Sequence, residues 1–249
     1  MTTIKNKTEG SAQECIKSHE SRRKIYMNIL KKVSAKLPHQ LQAELKRIYY
    51  GRQIKKGSFL TDEPEYELLH GLIRSGDWVI DIGANIGHYT KRFSELVGAT
   101  GRVIAFEPVP TTFSLLSANS QMFSHPNVTL VNTAVSNSLD VVGISIPQHF
   151  TGVSNYYRAH LSPAADSALS VLTMSLDSLY LDQPIACVKI DVEGHEATVL
   201  AGMKKLIERS HPILIVETGS DKVINDVTAM GYVAERLNGS PNVLFRPSA

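Results

Sequence analysis

From Trp78 onward the chain alternates short apolar runs with helix-length segments, and this alternation restricts the fold more than any other feature of its 249 residues. WVIDIGANIG, RVIAFEP, VTLVNTA, ACVKIDVEG and ILIVET each read as a short strand ending on a polar or acidic residue. Residues 89–97, 111–123 and 197–210 supply helices between several of them. Strands that are apolar on both faces need cover on both faces. The pattern therefore predicts an α/β fold with a doubly wound, mostly parallel sheet packed between helices. Ligands in such sheets bind beyond the carboxyl ends of the strands, where the sequence places Asp81, Glu107, Asn132, Asp191 and Glu217. GYVAERL and NVLFR, with Asn238, Gly239, Ser240 and Pro241 between them, predict a closing antiparallel hairpin.

The region ahead of the alternation is different. Ile25, Tyr26, Ile29, Leu30, Val33 and Leu37 recur at three- and four-residue spacing among Arg22, Arg23, Lys24, Lys31, Lys32 and Lys36, predicting an amphipathic basic helix that Pro38 stops. A helical pattern resumes over Leu41 to Tyr50 until Gly51 and Gly57, and a third helix is predicted over 61–75, capped by Thr61 or Asp62. Residues 1–56 carry 14 Lys and Arg against 4 Asp and Glu, and residues 57–249 carry 12 against 20. The net charge of +2 thus conceals a boundary between a basic helical extension, 1–56, and a mildly acidic domain, 57–249. A basic extension is either a solvated cap or a surface for nucleic acid, anionic lipid or an acidic partner. No apolar run reaches the roughly 18 residues a membrane span requires, and Met1 to Gly10 is too polar for a secretory signal, so the expected location is cytoplasmic. Two cysteines, Cys15 and Cys187, exclude a disulfide framework.

Three stretches carry the chemistry. Val79 to Gly87 is a strand running into a glycine-rich turn that opens a helix. Small residues there let backbone amides approach a ligand, and the helix N-terminus favours polar or anionic groups. A dinucleotide-binding G-x-G-x-x-G would need glycine where Asn85 and His88 stand, which argues against a pyrophosphate; a turn made only for packing is the other alternative. Glu107 ends the next strand, 26 residues after Asp81, where a carboxylate can accept both hydroxyl protons of a ribose. Asn132 follows the third strand, placed either to bond an adenine edge or to form an ordinary Asx turn. Finally, Lys189 to Glu196 gathers Asp191, Glu193, His195 and Glu196 at the end of the fourth strand. Crowded carboxylates raise one another's pKa unless a cation offsets them. Asp191, Glu193 or His195 can take a proton from a substrate hydroxyl, while Glu196 and His195 also suit the first turn and cap of the following helix. A divalent metal on Asp191, Glu193 and Glu217 is the less favoured alternative, because the spacing matches no metal motif, and no metal ligand is assigned.

VIDIGANIGHYT, VIAFEPVP, NTAVS, MSLDSL, VKIDVEGHEATVLAG and ILIVET, in that order, resemble the FkbM-type family of class I S-adenosylmethionine-dependent methyltransferases over residues 77–218. VKIDVEG with its following Glu, Val-Leu and Gly is the most specific part. The resemblance implies a Rossmann-like fold with a seven-stranded sheet, S-adenosylmethionine as cofactor with S-adenosylhomocysteine as product, and O-methylation of hydroxyls on sugars or secondary metabolites. It implies that Asp81, Gly83, Asn85, Gly87 and Glu107 hold the cofactor, with Ala84, Pro108, Asn132, Ala134 and Asp191 beside them. It places Asp191, Glu193 and Glu217 toward the active site, and assigns nothing to His88 or His195.

The leading expectation is an O-methyltransferase acting on a small hydroxylated acceptor such as a glycan. The alternatives are methylation of RNA or another nucleic acid held by the basic extension, and a regulatory protein that binds the cofactor without turnover. The extension itself closes over the cofactor, binds acceptor or pairs two copies into a homodimer. Between the third and fourth strands, residues 137–184 exceed a simple crossover. Their alternation over Val141 to Ile146 and the run Phe150 to Tyr157 suit either a sugar-stacking surface or an added edge hairpin with a loop.

Overall fold

The computed structural model describes residues 37–146, 160–162 and 169–248. The basic helix read over 20–37, Cys15 and the aromatic run at 150–157 lie outside the described residues, apart from Leu37. The chain divides into two units, 1–45 with 148–153 and 46–147 with 154–249. In the first unit the described residues are 37–45, which lead into helix α1, His39–Lys55.

The second unit continues with α2 (Pro64–Leu72), β1 (Trp78–Ile82), α3 (His88–Val97), β2 (Arg102–Phe106), α4 (Pro110–Ser120) and β3 (Val128–Val131). After an insertion come β8 (Ile185–Ile190), α5 (Glu196–Ala201), α6 (Lys204–Ser210), β9 (Ile213–Glu217), α7 (Asp221–Ala229), β10 (Tyr232–Arg236) and β11 (Asn242–Pro247). Seven strands form one sheet in the order β3-β2-β1-β8-β9-β11-β10. The five strands read from the sequence are mutually parallel, and β11 runs antiparallel to both of its neighbours. The closing hairpin is therefore present, inserted so that its second strand lies next to β9.

Alternation along the strands feeds two cores. Ile80, Ile82, Phe106, Val188, Ile190 and Val216 pack on one face against Val199, Leu206 and Val223 of α5, α6 and α7. Val79, Val103, Cys187, Ile215 and Leu244 pack on the other against Tyr66 and Leu69 of α2 and Tyr89 and Phe93 of α3. Buried on both faces, the strands read as the continuous apolar runs seen in the sequence.

The insertion builds a second sheet, in the order β4-β7-β5-β6, from β4 (Ala134–Val135), β5 (Asp140–Ser145), β6 (His160–Ser162) and β7 (Leu169–Met174). The alternation over Val141 to Ile146 is thus a strand, with Ile144 and Val171 in a small core beside Val109 and Ala134.

Several elements differ from the sequence reading, among them α4, which ends at Ser120 rather than at 123. Helix α1 runs through Gly51, because a Cβ there would lie 3.2 Å from Met122 Sδ and the close packing outweighs glycine's helical cost of about 1 kcal/mol. Helix α2 starts at Pro64 rather than at 61, and neither Thr61 nor Asp62 caps it. Proline holds the residue before it extended, and Glu63 has φ −69° and ψ 132°. The helix read over 197–210 is two, α5 and α6, broken at Gly202, where a Cβ would come within 2.0 Å of Ser136 O. Helix α7 was absent from the sequence reading, although Val223, Ile224, Val227 and Met230 carry its apolar spacing and the Ser220 hydroxyl accepts a hydrogen bond from Val223 N.

Candidate active site

Register decides which residues meet. Ile82 pairs with Phe106 on one side and with Ile190 on the other, Phe106 pairs with Val131, and Ile190 pairs with Val216. One residue further along, Asn132, Glu107, Gly83, Asp191 and Glu217 form a row across the carboxyl edge of the sheet. Four of the five, Asn132, Glu107, Asp191 and Glu217, were placed there from the sequence; Asp81, the fifth residue so placed, lies inside β1 opposite Ala105, and Gly83 takes its position in the row.

The glycine-rich turn is folded by contacts within the protein. Gly83 has φ +78°, and a Cβ on it would lie 1.8 Å from Asp191 O, so β1 and β8 close up only around glycine. Gly83 N and Ala84 N donate to Phe106 O at 3.0 and 2.9 Å, and Asn85 N donates to Glu107 Oε2 at 2.9 Å. Gly87 N donates to Ala84 O, and at φ +98° a Cβ on Gly87 would meet Leu116 Cδ1 at 2.7 Å. These amides are spent inside the protein, so the turn offers a ligand open space rather than the free donors read from the sequence. Gly87 packs toward α4 and lines neither of the two cavities described below.

Glu107 is buried, with Oε1 accepting from Val109 N and Oε2 from Asn85 N, each at 2.9 Å. Burial pushes its carboxyl up to about 7 against the pull of those two amides, and the charges of Asp81 and Asp191 push it further. Asn132 uses its amide on Glu107 O and Pro108 O at 2.7 and 3.0 Å. It braces the acidic loop, and its neighbours Thr133 and Ala134 line the cleft instead. Asp81 points to the α2–α3 face, where it accepts from Thr90 Oγ1 at 2.6 Å. Burial pushes its carboxyl up to about 6, with Thr90 and Lys189 pulling it back.

The end of β8 gathers most of the charge. Lys189 is 1% exposed, and its ammonium lies 3.3 Å from Asp191 Oδ2 and 4.9 Å above the centroid of the Tyr89 ring. The Glu217 carboxyl is pushed up to about 7 by burial, then by the negative charge of Asp191. Glu193 (φ +46°) and Gly194 (φ +90°) turn the chain back toward α5, and Gly194 N donates to Glu196 Oε1 at 2.7 Å. Glu196 therefore serves the first turn of α5. His195 occupies the α5 cap position, half-buried, with Nε2 3.1 Å from Ser136 Oγ, and burial lowers its pKa.

A further carboxylate comes from outside the sheet. Glu63, just before α2, accepts from Tyr89 OH, as does Glu65 Oε1 at 2.9 Å. Glu65, fully buried, also binds Ser240 Oγ and Asn242 Nδ2 and so ties α2 to the closing hairpin. One hydroxyl proton serves one carboxylate at a time, and burial raises the Glu63 carboxyl against the pull of Tyr89 and Lys189.

Two adjoining cavities of about 270 and 400 Å³ open on this edge and share Glu63, Gly83, Asn85 and Asp191 as walls. The first also meets Glu107, Pro108, Ala134, Glu193, His195 and Glu217, and the second meets Asp81 and Ala84. Of the residues anticipated from the sequence, Gly87 and Asn132 alone line neither. Glu63, Tyr89, Thr133, His160 and Lys189 line one or the other without having been anticipated as site residues. Glu63 carried a signal in its position before Pro64, at the end of a break between helices. Lys189 sits in an apolar run, where its charge was the anomaly. Among the described residues no group of three or more His, Cys, Asp and Glu side chains is arranged to hold a metal ion, and no helix is long and apolar enough to cross a membrane.

Residues 81–233 match the family model described as the methyltransferase FkbM domain. The hexuronic acid methyltransferase AglP of Haloferax volcanii is 29% identical over 157 residues, covering 62% of this chain and 61% of that protein. The 31-O-demethyl-FK506 methyltransferase FkbM of Streptomyces tacrolimicus is 28% identical over 168 residues, covering 55% of this chain and 64% of that protein. The chain thus spans less than two thirds of the length of both relatives. Methyltransferase FkbM from Methylobacillus flagellatus KT shares the fold, with a TM-score of 0.50 at 14% identity over 80% of this chain and 58% of that one. The sheet is that of a class I, Rossmann-like methyltransferase, and the chain belongs to the FkbM family of methyltransferases.

Proposed function

We propose that the protein transfers a methyl group from S-adenosylmethionine to a hydroxyl of a small acceptor, a sugar, a glycan or a secondary metabolite. The observation that carries the reading is that Glu107, Asp191 and Glu217 open onto one cleft from the carboxyl ends of β2, β8 and β9. The two relatives are named for methylation of a hexuronic acid and of 31-O-demethyl-FK506, which supports a hydroxylated acceptor.

The residues fit the cofactor. Each oxygen of Glu107 accepts one backbone hydrogen bond and keeps capacity for another, as a ribose diol requires. Glu63 and Asp191 line both cavities, joined by Glu217 in the first and Asp81 in the second, and so many carboxylates suit a cation. When bound, S-adenosylmethionine supplies an electrophilic methyl group and that positive charge. The chain's own residues then align the acceptor and remove its proton. Asp191 stands where the two cavities join, Glu193, His195 and Glu217 line the same cleft, and Val135, Ile144 and Leu161 form an apolar wall that displaces water. Residues 57–249 form the methyltransferase domain in this reading and 1–56 its extension. Tyr50 and Ile54 of α1 pack beside Phe59, Ile86 and Leu115. Nucleic acid as acceptor and a homodimer through the N-terminal helices are the weaker readings of that extension.

The test is incubation with methyl-labelled S-adenosylmethionine and a panel of glycosides, uronic acids and polyols. Equal amounts of a labelled methyl ether and S-adenosylhomocysteine are expected with at least one acceptor. Tight cofactor binding with no product across the panel and with RNA would favour the regulatory alternative.

A further inference from the structure

We propose that His195 is the base that takes the acceptor proton, through its Nδ1, and that Ser136 is the positioning residue that holds the ring for it at Nε2. The inference deepens the methyl-transfer reading by naming its base. It rests on that reading for its catalytic meaning alone, because the placement of the ring is a property of the free protein.

The placement begins at the end of β8. Glu193 and Gly194 take positive φ, +46° and +90°, and this reversal sets His195 at the α5 cap position, on the same cavity as Asp191. Its side chain makes no hydrogen bond to the helix amides. Nε2 lies 3.1 Å from Ser136 Oγ, while Nδ1 has no hydrogen-bond partner among the described residues and is not buried. One nitrogen is thus engaged by the protein and the other is open. Ser136 is suited to hold it. It is 6% exposed, its N donates to Met174 O at 2.8 Å where β4 meets β7, and its carbonyl lies against Gly202 at the end of α5. Its hydroxyl has no partner but His195 among the described residues. A contact made only to tie α5 to β4 would not need its imidazole on the cavity wall.

A neutral imidazole carries one hydrogen, and the hydrogen bond made by one nitrogen sets the state of the other. With Nε2–H donating to Ser136 Oγ, Nδ1 presents a lone pair to the cleft. Burial lowers the pKa of His195 against the pull of the Glu196 charge, so the ring is uncharged at neutral pH and can accept a proton. The other titratable groups on this cavity are the carboxyls of Glu63, Glu107, Asp191, Glu193 and Glu217 and the His160 imidazole, and neither lysine nor arginine lines it. Asp191 Oδ2 already faces the Lys189 ammonium at 3.3 Å, and Glu107 holds two backbone amides. Carboxylates around the cavity favour the imidazolium that the reaction forms. The acceptor's O–H bond breaks toward Nδ1 as its oxygen forms the bond to the methyl carbon. The electron pair of the broken C–S bond stays on sulfur, so the positive charge lost there is gained by the His195 ring, which then releases the proton to water.

Imidazole ¹⁵N NMR of the full chain, without cofactor or acceptor, tests the placement, and methyl-transfer kinetics with an acceptor from the panel test its use. At neutral pH the wild-type ring, assigned by its loss in His195→Gln, should be uncharged with its hydrogen on Nε2 and none on Nδ1. Ser136→Ala should mix the two tautomers and lower kcat by about 10- to 100-fold with KM nearly unchanged. Ser136→Thr, which returns a hydroxyl, should restore both the tautomer and kcat; if it does not fold by thermal melting, the wild-type spectrum still decides. His195→Gln should lower kcat about 100-fold or more and leave cofactor binding by calorimetry unchanged. A wild-type ring with its hydrogen on Nδ1, a Ser136→Ala protein that keeps the tautomer and kcat, or a His195→Gln protein that keeps its kcat overturns the proposal. The expected spectrum in a protein that methylates nothing overturns the catalytic role and leaves the placement of the ring standing.

Discussion

Two demands on Glu107 pull its charge in opposite directions. Burial raises its carboxyl to about 7, and the proposed ribose contact wants it ionised. A carboxyl whose folded pKa lies above its unfolded value stabilises the fold below the unfolded value, near 4.5, and that contribution is lost as pH rises through about 7. The cofactor-free protein should therefore lose stability on the order of 1 to 3 kcal/mol from this residue between about pH 5 and pH 8. Glu107→Gln removes the contribution, so melting temperatures followed over that range should fall less steeply than in wild type; an identical slope would contradict the assignment. Asp81 and Glu217 shift the same way and leave a residual slope. At this scale the strand-end acids were legible, because an acidic residue closing an apolar run has few other places to be. Side-chain direction was not. The destination of Asp81 at Thr90, of the Asn132 amide on the β2 loop and of Lys189 beneath Asp191 depends on α3 and β8 being in place.

Elements were legible where one local signal dominates and illegible where a contact distant in sequence overrides it. The five parallel strands came from apolar runs that bury both faces. Gly51 and Gly202 show the opposite case: one sits inside a helix and the other breaks one, and the difference lies in whether Met122 or the Ser136 carbonyl faces the missing side chain. A methionine end can move and a carbonyl cannot. Gly202→Ala should thus destabilise the fold by about 3 kcal/mol or more, while Gly51→Ala should be far milder, with helix propensity worth up to about 1 kcal/mol in its favour. Urea denaturation of the two variants checks this, and equal effects would contradict the packing account. The second sheet was only half legible. The alternation of β5 was visible, but the pairing of β4 with β7 joins segments about forty residues apart and has no local signature.

At the scale of the whole molecule, the sheet order and the family match agree, and the site lies where strand direction requires it. The charge boundary between residues 1–56 and 57–249 was read from counting alone. The acidic side of it contains the cleft, whose carboxylates await a cation. The central claim is that this acidic edge is an S-adenosylmethionine site with Glu107 on the ribose, and calorimetric titration of the purified chain with S-adenosylmethionine, beside Glu107→Ala, tests it most directly. A hydrogen bond to a charged group contributes about 1.5 to 3 kcal/mol, so the wild type should bind in the micromolar range and the variant about 10- to 100-fold more weakly. A folded wild-type protein that releases no heat with the cofactor, or a Glu107→Ala variant that binds it equally well, would contradict the account.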